Sequence, residues 1–75
     1  MKTLKALRVG HTARVVRVHG DGALRRRIME MGLTPGVEVT LRKAAPLGDP
    51  IEIYVRGYAL SLRRAEADLV EIAED

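Results

Sequence analysis

AAPLGDPIEIYVRGYALSLRR, residues 44–64, is the stretch whose reading decides the fold. It opens with a stiff turn, Pro46-Leu47-Gly48-Asp49-Pro50, in which two prolines fix φ and the glycine reaches angles that other residues avoid. Apolar side chains then alternate at Ile51, Ile53 and Val55, and after Gly57 the alternation changes parity to Tyr58, Leu60 and Leu62. Two short strands joined by a tight reversal, each with one buried face, produce that pattern. The segment groups no nucleophile with a base and reads as a scaffold that presents a surface.

Upstream, Val37, Val39 and Leu41 alternate with Glu38, Thr40 and Arg42, which predicts a further half-buried strand and leaves 43–50 as a loop. Thr34-Pro35-Gly36-Val37 carries Pro and Gly where a type II turn needs them. Ala23 to Met31 predicts a helix, with Leu24, Ile28 and Met31 at i, i+4 and i+7 as one buried stripe. Asp21 is its candidate N-cap, Gly32 the left-handed residue that ends it, and Leu33 the apolar contact that follows. Residues 12–19 are rich in β-branched side chains and predict a strand, which a bulge at the adjacent Val15 and Val16 would bend. Thr3 to Val9 predicts a helical turn with Leu4 and Leu7 inward, Arg64 to Ala67 another, and Leu69 to Ile72 a last strand, with Glu74 and Asp75 frayed. Five short strands and one inserted helix close more readily into a small barrel than into an open sheet, because closure removes edges. The whole of 1–75 is expected to be one domain.

Two runs, LRRRIMEMGLTPG at 24–36 and APLGDPIEIYVRGYALSLRRAEA at 45–67, in that order, closely resemble the ferrous iron transport protein A family, FeoA. The resemblance spans roughly residues 4 to 72, with Met29 and Met31 standing where leucines are usual. It implies a mainly β fold, an SH3-like five-stranded barrel. It also implies a small cytoplasmic accessory protein of ferrous iron uptake, whose partner is the cytoplasmic, GTPase-bearing part of the membrane transporter FeoB.

Composition narrows the options. A chain of this size buries only about 60–65% of its unfolded surface, so the core must come from Leu, Val and Ile, without Phe or Trp. The lack of cysteine excludes disulfides and zinc–thiolate sites. No run approaches the ~20 apolar residues of a membrane span. Lys5 and Arg8 interrupt the apolar start of MKTLKALR, so a secretory leader is not expected and the chain reads as cytoplasmic. Residues 1–27 hold eight Lys or Arg against one acid, whereas 28–75 hold five against nine. The basic third predicts a surface able to steer an acidic partner, phosphate or anionic membrane, and makes a nucleic-acid-binding SH3-like module the alternative function. Against that alternative, the chain has no Phe or Trp for base stacking and no Asn or Gln for base-edge contacts.

Enzymatic chemistry is not expected. The only Lys-Thr pair, Lys2-Thr3, leaves no room for a phosphate-binding loop, and Ser61, the only serine, lies on an outward strand position with no base linked to it by sequence. No cofactor and no metal site are assigned; His19 and Asp21 are the only candidate ligand pair, since ferrous iron accepts imidazole and carboxylate. The candidate contact residues for a partner protein are Arg26, Met29 and Glu30 on the helix, Leu47 and Asp49 in the turn, and Tyr58. Leu47 is chosen because an apolar side chain in a Pro/Gly turn must either pack back or meet a partner. Oligomeric state stays open.

Overall fold

In chain order the elements are β1 (Thr12–Val18), α1 (Gly22–Glu30), β2 (Glu38–Ala44), β3 (Ile51–Val55), β4 (Tyr58–Leu62), α2 (Arg64–Ala67) and β5 (Val70–Ala73), with 3-10 turns at Leu4–Ala6 and Pro46–Gly48. They are taken from a computed structural model, which describes residues 1–74. The strands form one antiparallel sheet in the order β4-β3-β2-β1-β5. The hairpin that the alternation predicts closes at Val55 and Tyr58, with φ of 50° at Arg56 and 87° at Gly57. Two positive φ values in a two-residue loop are what a type I′ turn requires, and its twist matches that of the strands.

Register shifts bend the sheet at two places. One falls between Val15 and Arg17, where the doubled valine predicts a bulge; Val16 turns outward while Val15 stays in the core. The other falls between Leu41 and Lys43 and lets β2 run on to Ala44, which pairs with Ile51. The loop expected at 43–50 is therefore shorter at its start: hydrogen bonding to β3 outweighs the loss of alternation after Leu41. The core inside the curved sheet holds Leu4, Val15, Ile28, Leu33, Val39, Ile53, Leu62 and Val70, each almost wholly buried.

α1 differs from its prediction in two details. Only Ile28 is fully buried, while Leu24 and Met31 are half-buried, so the apolar stripe is narrower than the i, i+4, i+7 pattern suggests. Asp21 occupies the N-cap position with extended backbone, but its side chain makes no capping hydrogen bond; its carbonyl accepts from the Arg25 N–H at 2.8 Å. At the other end Gly32 has φ of 107° and Leu33 is fully buried. The type II turn is present, with the Val37 N–H donating to the Thr34 carbonyl at 3.1 Å and φ of 93° at Gly36.

The ladder is open rather than closed, with β4 and β5 at its edges. The free side of β5 is covered by the residues before the first 3-10 turn: the Ile72 N–H donates to the Lys2 carbonyl at 2.8 Å, and Thr3 bridges Glu71. Glu74 is not frayed, because Lys2 and His11 both bond its carboxylate. Asp75 lies outside the described residues.

Candidate partner-binding surface

Leu47 stands at the crown of the β2–β3 loop with its side chain entirely in solvent, at 102% relative exposure. Its backbone is left-handed, φ 70° and ψ 7°, a region that costs a branched L-residue on the order of 1–3 kcal/mol. The surrounding loop pins it there. The Ala45 N–H donates to the Pro50 carbonyl at 2.9 Å and the Gly48 N–H to the Ala45 carbonyl at 2.7 Å. Asp49 Oδ1 accepts the Arg64 N–H at 3.0 Å, serving one of the orphan donors at the start of α2. A Cβ on Gly48 would sit 2.8 Å from Arg64 Nη1, so the loop rests closely on the Arg64 side chain. The Asp49 carboxylate is thus engaged inside the molecule, and what the loop offers outward is Leu47.

The helix residues separate into two groups. Arg26 and Glu30, one turn apart on α1, are both exposed and enter no ion pair or side-chain hydrogen bond among the described residues. Met29, expected outside the buried stripe, is half-buried and packs against the core. Tyr58 is 44% exposed, yet its hydroxyl donates to the Met31 carbonyl at 2.5 Å, which ties β4 to the end of α1. A Cβ on Gly32 would approach that hydroxyl to 2.8 Å, so glycine is needed there for space as well as for φ.

Part of the asymmetric charge of the sequence is met within the fold. Lys2 and His11 meet Glu74, Arg14 meets Glu38, and Arg27 meets Glu66. Arg25 instead donates from Nε to the Val18 carbonyl at 3.0 Å, so its stem lies along the end of β1. Part of the basic third is thus taken up internally, while Lys5, Arg8, Arg17 and Arg26 enter no ion pair among the described residues. The Lys2 ammonium, and after it the His11 ring, hold the Glu74 carboxyl below the ordinary carboxylate range.

His19 bonds not to Asp21 but to Glu71, Nε2 to Oε1 at 2.9 Å. Among the described residues no group of three or more His, Asp or Glu is placed to hold a metal ion. Sequence reasoning missed the exposed Val9 and Val16; the doubled valine was the available signal for Val16. Tyr54, which the strand pattern puts outward, lies under the Arg42 guanidinium at 5.7 Å from the ring centre. No helix among the described residues is long and apolar enough to cross a membrane.

The FeoA domain model matches residues 2–74. Over 69 residues, 92% of this chain, the sequence is 42% identical to an Fe(2+) transport protein A/Fe(2+) transporter FeoB fusion protein of Porphyromonas gingivalis, of which the match spans only 8%. The fold is similar to the solution structure of iron(II) transport protein A from Clostridium thermocellum, with a TM-score of 0.92 and 37% identity, covering 97% of this chain and 45% of that one. It is also similar to Stenotrophomonas maltophilia FeoA complexed with zinc, described as an SH3 domain protein, with a TM-score of 0.85 and 31% identity, covering 97% of this chain and 91% of that one.

Proposed function

We propose that this chain, which belongs to the FeoA family, serves ferrous iron transport as a small accessory domain that docks on the cytoplasmic region of a FeoB-like transporter. The similar fusion protein carries both names in one polypeptide, and covalent joining keeps two domains at high effective concentration. A domain of this kind acts by contact. It needs no reaction of its own, and its influence on GTP chemistry passes through the partner.

The observation that carries this reading is Leu47, an aliphatic side chain fully in solvent on a backbone conformation that costs energy to hold. Strain of that sort persists where the surroundings enforce it, and it clusters at functional sites. Leu47 is assigned as the apolar anchor, with Arg26 and Glu30 as polar contacts. Asp49 contributes by holding the loop on Arg64, Tyr58 by tying β4 to the end of α1, and Met29 by packing against the core. Binding of the soluble GTPase region of a FeoB-like transporter, measured by calorimetry, tests this. Leu47→Asp, which touches no core residue, is expected to weaken binding at least tenfold, about 1.4 kcal/mol. Equal binding by Leu47→Asp and the unmodified chain rejects the assignment.

A further inference from the structure

The pairs of the β3–β4 ladder alternate in kind. Val55 and Tyr58 flank the two-residue turn and exchange both hydrogen bonds, as do Ile53 with Leu60 and Ile51 with Leu62. Ala59 and Ser61 therefore turn their N–H and C=O groups away from β3, and no backbone partner meets them among the described residues. Free edges are commonly guarded by an inward charge, a proline or a bulge. β4 has none of these: it reads Tyr-Ala-Leu-Ser-Leu, keeps one register throughout, and leaves the small Ala59 and Ser61 exposed.

Two grooves reach β4 near its C-terminal end, at Ser61. One, about 330 Å³, lies on the face that Ser61 shares with Glu52 and is bounded by Lys43 and Pro50. The other, about 500 Å³, lies beside Leu62 and is bounded by Met31, Arg27 and Arg63. Ser61 and Pro50 line both. Successive side chains of an added strand point to opposite faces, so those passing Ser61 would reach toward the two grooves in turn. The unpaired charge beside the edge has one sign. Arg56 and Arg63 lie just beyond the two ends of β4, and neither forms an ion pair among the described residues; Arg56 reaches only the Thr34 hydroxyl, at 3.2 Å. The neighbouring carboxylates are already engaged, Glu66 by Arg27 and Glu52 by Arg42 and Lys43.

From these features we propose that the outer edge of β4 is a strand-addition site for an extended, acid-ended segment of a partner polypeptide. The main chain of that segment pairs with Ala59 and Ser61, its apolar side chains beside Ser61 reach the two grooves, and its terminal carboxylates meet Arg56 and Arg63. The proposal goes beyond the transporter reading, since any partner with such a segment satisfies it.

The probe is a blocked heptapeptide, Glu-Val-Thr-Val-Thr-Val-Glu, added to the whole chain while amide hydrogen exchange is followed by NMR. At saturation, exchange at Ala59 and Ser61 slows at least tenfold, while Tyr58, Leu60 and Leu62, already bonded to β3, change little. Ser61→Pro removes an outward donor without breaking a bond to β3, and weakens binding at least tenfold. The same peptide N-methylated at alternate residues repeats that control on the unmodified chain. Unchanged exchange at Ala59 and Ser61 overturns the proposal. Slowing that appears with rising protein concentration alone overturns it too, because the occupant is then a second copy. Equal slowing by a lysine-ended peptide overturns the acidic specificity.

Discussion

β5 and β4 end the same sheet in opposite ways. Along β5 lie residues remote in sequence: Lys2 and Thr3 pair with its backbone, the Thr3 hydroxyl meets Asp68 at 3.1 Å, and Lys2 and His11 take up Glu74. Leu4, almost wholly buried, anchors this strap in the core. Along β4 the only added tether among the described residues is the Tyr58 hydroxyl, which holds one end of the strand to α1 and leaves the edge itself bare. In this open ladder, one edge is sealed by the fold's own chain and the other is left to solvent. The sealed edge is a matter of stability, and the bare one is available for contact.

The change expected to disturb this contrast most is Leu4→Ala. It empties a fully buried site, costs about 2–5 kcal/mol by the usual cavity penalty, and loosens the strap. Urea denaturation reads the loss, and the Ile72 amide should exchange faster because its acceptor is the Lys2 carbonyl. If Ile72 keeps its protection relative to the global unfolding rate, the strap is not what seals β5. Tyr58→Phe acts on the other edge. Removing the hydroxyl that donates to Met31 costs about 0.5–1.5 kcal/mol. The change in protection should be confined to β4 and the end of α1; an equal effect at β5 would show that the two edges do not behave separately.

The smallest effect is that of pH on the strap. The Glu74 carboxyl has its folded-state value lowered, first by its hydrogen bond from Lys2 and then by that from His11. A depressed carboxylate contributes stability that is present above its unfolded value and is lost as pH falls through its folded value, so the loss belongs below about pH 4. Because the Glu74 carboxylate lies at the surface, where solvent screens its partners, the shift in unfolding midpoint should be slight. Glu74→Gln should flatten the acid limb of a plot of midpoint against pH, and an unchanged limb would assign it to other carboxylates.

What the sequence disclosed follows from how far each interaction reaches along the chain. The hairpin at 51–62, the type II turn at Thr34, the end of α1 at Gly32 and the bulge at Val15-Val16 are all set by residues within a few positions, so periodicity and turn chemistry reveal them. The extension of β2 to Ala44 was hidden, because it depends on a partner strand and not on local alternation. Leu47 could be read as out of place in a Pro/Gly turn, but not its left-handed backbone. Asp49 looked free and in fact serves Arg64, and His19 looked closest to Asp21 and in fact meets Glu71, 52 positions away. Those pairings are fixed by sheet order, which composition and spacing leave undetermined. The bare edge of β4 was hidden for the same reason, since the expectation of a closed barrel left no edge to find.

Position 47 would answer two selection regimes in opposite ways. A library sorted for heat resistance alone should drift there toward glycine or asparagine, which accept the left-handed backbone more readily. A library sorted for capture of a partner should keep a large aliphatic group despite the strain. Sequencing both pools would separate what the loop contributes to the domain itself from what it offers to another molecule.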